Sequence, residues 1–141
     1  MPKKILLPID MNAPASWVKP LAEAQKLLQG GGELHVVSVM PDFGMSLVGS
    51  FFESGFEKTA LHHFGDMMRS WIKQNIPGAV DVHAHVLHGK IYDEILKAAD
   101  KLDVDLIIMA AHRPEAKDYL LGSNATQVVR HAKQSVYVTR D

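Results

Sequence analysis

Asp105-Leu106-Ile107-Ile108-Met109, running out into Ala110-Ala111-His112-Arg113-Pro114, is the stretch whose reading decides the fold. Four apolar residues stand in a row with no polar alternation, as in a strand covered on both faces, and covered faces belong to parallel sheets. The same short apolar run recurs at Ile5-Leu6-Leu7, Leu34 to Met40, Val80 to Leu87 and Val136 to Val138. Longer segments with apolar residues at helical spacing separate the runs. Strand and helix in strict alternation imply right-handed crossovers and an α/β doubly wound sheet.

Four helices are expected. The first spans Pro14 to about Gln29, with Val18, Leu21, Ala22, Gln25 and Leu28 near one face, and Gly30-Gly31-Gly32 ends it. The second runs from Ser54 or Phe56 to Asn75, with a stripe of Phe56, Ala60, Phe64, Met67, Met68, Trp71 and Ile72 before Pro77-Gly78. The third runs from Lys90 to Lys101 and turns Ile91, Ile95, Leu96, Ala98 and Ala99 inward. The fourth opens near Ser123 and carries Ala125, Val128, Val129 and Ala132. The segment 41–53, with Gly44, Ser46, Gly49 and Ser50, reads as a lid or as partly helical. Residues 1–141 read as one domain without repeats.

In an open parallel sheet a ligand binds beyond the carboxyl ends of the strands, where crossovers diverge. The turn after Met109 is the richest. It leads through His112 and Arg113 to Leu121-Gly122-Ser123-Asn124-Ala125, which opens the fourth helix. Glycine there admits close backbone approach, and the free N–H groups of the first helical turn favour an anion. Ser123 and Asn124 add donors, and His112 and Arg113 add positive charge. Together they outline a phosphate cradle, although Ser123 also suits a plain N-cap. Asp10, at the end of the first strand, suits a ribose hydroxyl, hydrated Mg²⁺ or a cap of the first helix.

Composition narrows the alternatives. The chain is 47% apolar and 22% charged, with 15 basic and 16 acidic residues and a net charge of −1. No basic surplus draws it to nucleic acid or membranes. Without cysteine, disulfides, thiolate metal sites and a cysteine nucleophile are excluded, which suits the reducing cytoplasm. The opening Lys3-Lys4-Ile5-Leu6-Leu7-Pro8 is too short an apolar stretch for a secretory signal or a membrane span.

Lys4-Ile5-Leu6-Leu7-Pro8-Ile9-Asp10, Leu34-His35-Val36-Val37-Ser38-Val39, Gly89 with Glu94-Ile95 five residues on, Asp105 to Met109, and Leu121-Gly122-Ser123 through Val129-Arg130-His131-Ala132 to Ser135-Val136-Tyr137-Val138 follow one another in a specific order. In this the chain resembles the universal stress protein family over essentially its whole length. The resemblance implies a Rossmann-like, adenine nucleotide α-hydrolase-like fold: a five-stranded parallel sheet of order 3-2-1-4-5 with four flanking helices. It also implies a homodimer through the last strand. In the ATP-binding branch a Gly-x2-Gly-x9-Gly-Ser/Thr motif holds phosphate. Carried across, Pro8, Ile9, Asp10 and Val39 would line the nucleoside, and Ala110, His112, Arg113, Gly122, Ser123, Asn124 and Ala125 the phosphates. Ala110 and Arg113 replace the first two glycines, and eight residues, Pro114 to Leu121, stand where the motif has nine. ATP is the expected ligand, with ADP or AMP following if the distal cradle is poor, and Mg²⁺ reached from Asp10 through water.

Other chemistry is less well supported. His83 and His85 lie two apart on one strand face, with His88 near and His35 on a neighbouring strand, as zinc would need. No acidic third ligand is apparent and the alternation suits a solvated edge, so no direct metal site is expected. His62-His63 read as surface. Gly-x-Ser-x-Gly, Gly-x4-Gly-Lys-Ser/Thr and Gly-x-Gly-x-x-Gly motifs are absent. At most slow ATP hydrolysis or self-phosphorylation near Ser123 is expected. Met45, Phe51, Phe52 and Phe56 read as core. A nucleotide-binding stress or regulatory protein is the leading reading; the alternative is a nucleotide-independent, partner-binding dimer with a vestigial cleft.

Overall fold

The computed structural model describes residues 3–41, 54–76, 78, 81–111 and 123–140. Of the segment 41–53, anticipated as a lid or as partly helical, residues 42–53 lie outside the described residues, as does the turn 112–122. Strand and helix alternate as read: β1 (Lys4–Pro8), a 3-10 turn (Pro14–Ser16), α1 (Val18–Leu27), β2 (Glu33–Pro41), α2 (Ser54–Asn75), β3 (Asp81–Gly89), α3 (Ile91–Lys101), β4 (Leu106–Ala110), α4 (Ser123–His131) and β5 (Ser135–Thr139). All strand pairs are parallel, and the sheet order is β3-β2-β1-β4-β5.

Side-chain alternation divides the core. Ile5, Leu7, Leu34, Val36 and Ile108 meet Leu21, Ala24 and Leu28 of the α1 segment and Met68 and Trp71 of α2. Leu6, Val37, Ile107 and Met109 meet Ile95, Ala98 and Ala99 of α3 and Ala125 and Val128 of α4. Thus α1 and α2 cover one face, and α3 and α4 the other. Trp17 packs edge-on against Trp71, with ring centroids 5.1 Å apart.

Three helix faces differ from the spacing-based expectation. The first helix is not continuous from Pro14: Trp17, at φ −133°, separates the 3-10 turn from α1. Within α1, Val18 is 55% exposed and Ala22 is exposed, while Pro20, Leu21 and Ala24 are buried. Pro20 fits because the first N–H groups of a helix have no intrahelical partner. Met67 and Val129 also face solvent, each on the margin of a stripe whose centre, Met68 or Val128, is fully buried.

Two local devices set the start of the central strands. The Asp105 carboxylate accepts the N–H groups of Lys3 (3.0 Å) and Lys4 (2.9 Å), while Asp105 N–H donates to Lys4 O at 2.8 Å. The Lys4 and then the Lys3 backbone donors hold this carboxyl below its usual pKa. Gly32, at φ +126°, passes so close to β1 that an added Cβ would lie 2.6 Å from Lys3 O and 2.8 Å from Leu28 Cδ2. Gly32→Ala is therefore expected to lower stability by about 2–4 kcal/mol, combining backbone strain with overpacking. Gly30→Ala meets nothing within 4 Å and should be near neutral. Urea denaturation midpoints of the two variants check this; equal midpoints would contradict it.

Candidate functional site

The crevice forms where chain order reverses in the sheet, between β1 and β4, because α1 leaves toward one face and α4 toward the other. A cavity of about 680 Å³ opens there, within the range of small-molecule sites. Its floor is the carboxyl ends of three strands: Pro8 at the end of β1 with Ile9 and Asp10 after it, Val37, Ser38 and Val39 in β2, and Met109, Ala110 and Ala111 at β4. Ser123, Asn124 and Ala125 close one side, Ile91 and Ile95 another, with Asn12, Ser16 and Phe64 at the margin.

Eight of the residues chosen from the sequence thus converge: Pro8, Ile9, Asp10, Val39, Ala110, Ser123, Asn124 and Ala125. His112, Arg113 and Gly122 lie outside the described residues. Reading the strand ends did not single out Ser38, or Ile91 and Ile95. Ser38 carried a signal in retrospect, as a lone hydroxyl inside an apolar strand that is only 2% exposed.

The floor is held by the backbone. Ile9 N–H donates to Val37 O, and Ala111 N–H donates to Thr139 O, both at 2.9 Å, so the pairings continue to the rim. Asp10 does not cap α1, whose N-cap is Trp17 and has no side-chain hydrogen bond. Instead Asp10 Oδ1 accepts Asn12 N–H at 3.0 Å, and Ser16 Oγ accepts Asp10 N–H at 2.9 Å while also donating back to carbonyls. This turn fixes the aspartate at the rim and leaves its other carboxylate oxygen without a partner among the described residues. On the opposite side α4 begins at Ser123. No acidic residue occupies its first turn, and Arg130 and His131 lie in its last, so its charges do not oppose an anion at the amino end.

The arrangement can receive a ligand with an apolar body between Val39, Ile91 and Ile95, a hydroxyl near Asp10 and negative charge near α4. A parallel sheet with its crevice at the strand-order reversal and a helix amino end on the rim defines a doubly wound α/β protein of the Rossmann-like class. Within that class the chain belongs to the universal stress protein family, whose family model matches residues 1–140. Universal stress protein G of Shigella flexneri is 28% identical over 142 residues, spanning 99% of this chain and 100% of that protein. Among solved structures, hypothetical protein MJ0577 superposes with a TM-score of 0.82 at 24% identity, covering 99% of this chain and 96% of that one. Two more distant relatives share the fold with nucleotides present. One is a universal stress protein in complex with cAMP, with TM-score 0.62, 17% identity and 99% and 97% coverage. The other is a family member from Arabidopsis thaliana with AMP bound, with TM-score 0.57, 14% identity and 99% and 92% coverage. Among the described residues, no helix is long and apolar enough to cross a membrane.

Proposed function

We propose that this chain binds an adenine nucleotide, ATP foremost, in the crevice between β1 and β4, and acts as a regulatory stress protein in the cytoplasm. The observation that carries this reading is the convergence of Asp10, Val39, Ala110 and the amino end of α4 on one cavity of nucleotide size. The cAMP and AMP found in two relatives support the class of ligand. The adenosine lies against Pro8, Ile9 and Val39. Asp10 accepts from a ribose hydroxyl or holds hydrated Mg²⁺ with its second oxygen. The phosphates meet Ser123, Asn124 and Ala125, with His112, Arg113 and Gly122 completing the cradle. Residues 1–141 act as one domain, with nucleic acid and membranes not among its partners.

The homodimer belongs to the same proposal. Among the described residues β5 is an edge strand with no neighbour on its outer side, which leaves its backbone open to pairing, and Tyr137 on it is 39% exposed. One observation favours the second reading, a nucleotide-independent dimer: the methyl of Ala110 lines the cavity where the ATP-binding branch has glycine. Calorimetric titration of untagged protein with ATP-Mg²⁺, ADP and AMP separates the two. One nucleotide per chain, with a rise in melting temperature, is the expected result. No heat and no thermal shift with all three would leave the vestigial cleft, and AMP binding with weak ATP binding would place the defect in the distal cradle.

A further inference from the structure

A second cluster of chemistry lies on the α3/α4 face of the sheet, toward the opposite end of the strands. The parallel register pairs Glu33 with Asp81, His35 with His83 and Val37 with His85, and alternation sends Glu33, His35 and Val37 to one face. His35, on the neighbouring strand as expected, is buried at 6% exposure. Its ring stacks between His83 (centroids 4.8 Å) and His85 (5.2 Å). His35 Nδ1 and His85 Nε2 are 2.9 Å apart and share one hydrogen bond.

That bond leaves His35 Nε2 sealed from solvent and without a hydrogen-bond partner, and His83 Nε2 is in the same condition. Both are close to one carboxylate oxygen: Glu33 Oε1 lies 3.4 Å from His35 Nε2 and 3.6 Å from His83 Nε2. Asp81 Oδ1 lies 3.1 Å from His83 Nε2, too far off axis for a hydrogen bond. The three ligand atoms of Glu33, His35 and His83 all fall within 4.8 Å of one another. Tetrahedral Zn²⁺ with bonds near 2.0–2.1 Å sets its ligands about 3.3 Å apart, close to the two spacings from Glu33; because the His35 and His83 rings are stacked, the partly exposed His83 must turn out of parallel to bring both Nε2 lone pairs onto one ion.

We propose that Glu33, His35 and His83 bind Zn²⁺, with Asp81 or water as the fourth ligand and His85 orienting His35 through its Nδ1. The donor set is two imidazole nitrogens and a carboxylate, which suits Zn²⁺ and not Mg²⁺ or Ca²⁺. With His35 Nδ1–H donating to His85 Nε2, the Nε2 lone pair faces a carboxylate, an arrangement that a cation between them makes favourable. The site lies toward the amino ends of the strands: His35 is two residues, about 7 Å along the strand, from Val37 in the floor of the nucleotide cleft.

The test uses full-length untagged protein stripped with a chelator. Calorimetric titration is expected to give one Zn²⁺ per chain with a raised melting temperature. Co²⁺ should give the visible absorption of a four-coordinate ion, displaced by Zn²⁺, and Mg²⁺ should give no response. His83→Ala and Glu33→Gln are each expected to weaken Zn²⁺ at least tenfold, while His62→Ala on α2 binds as the parent does. Glu33→Gln is nearly isosteric at a half-buried position, so it decides the matter if His83→Ala fails to fold. Absence of Zn²⁺ heat and thermal shift in the parent protein, or undiminished affinity in Glu33→Gln, overturns the proposal.

Discussion

Leu6→Ala is expected to lower unfolding free energy by about 3–5 kcal/mol, the upper part of the range for buried leucines. Leu6 is fully buried and packs with Val37, Ile95, Ala99, Ile107 and Val128. Its strand is bonded on both sides, Leu6 standing opposite His35 of β2 and Ile107 of β4. The backbone cannot move inward to close the space, so most of the lost volume remains as a cavity. Domains of this size have about 5–15 kcal/mol in total, so the variant should melt roughly 10 °C lower and sit near the edge of folding. Val129→Ala, on the exposed side of α4, should change stability by less than about 0.5 kcal/mol. Thermal and urea unfolding of both variants make the comparison. A loss under about 1 kcal/mol at Leu6 would mean that the sheet centre is more pliable than its hydrogen bonding implies.

Ser123→Asp is expected to separate stability from ligand binding. Ser123 is the first residue of α4 and lines the cavity. A carboxylate there suits the helix, because negative charge near the amino end stabilises by about 0.3–1 kcal/mol. The same charge opposes a phosphate. At about 4 Å with an effective dielectric near 20 the repulsion is about 4 kcal/mol, and exposure reduces it. A ten- to hundred-fold loss of nucleotide affinity follows, about 1.4–2.8 kcal/mol. Calorimetry and thermal melting together read both signs. Unchanged affinity in a protein at least as stable as the parent would remove the phosphates from the start of α4.

Much of the fold was legible because strands buried on both faces declare themselves as unbroken apolar runs. Leu106 to Met109 needed no partner to be read, and Leu34 to Met40 stood out although His35 and Ser38 interrupt it. Strand order came from the family resemblance, and the structure has the same order. Helix faces were less legible. At the break beside Trp17 the expected face narrows: Leu21 and Leu28 are buried as read, but Val18 and Ala22 face outward. In the crevice, residues at strand ends followed from where ligands sit in such sheets. Ile91 and Ile95 did not, because they reach the cavity only through the packing of α3 across the sheet. The histidine cluster shows the same limit. His83 and His85 were visible as a pair, but Glu33 lies 50 residues away and meets His83 only through the β2–β3 register.

The position of β1 has a consequence for the newborn chain. The first strand made becomes the middle of the sheet, and its far side waits for β4, whose amino end is tied to it by the Asp105 carboxylate. About 64 residues emerge from the ribosome between the end of β2 and Asp105, which takes roughly 3–13 s at 5–20 residues per second. Throughout that interval Ile5-Leu6-Leu7 has an open edge, the kind of surface on which nascent chains aggregate or recruit chaperones.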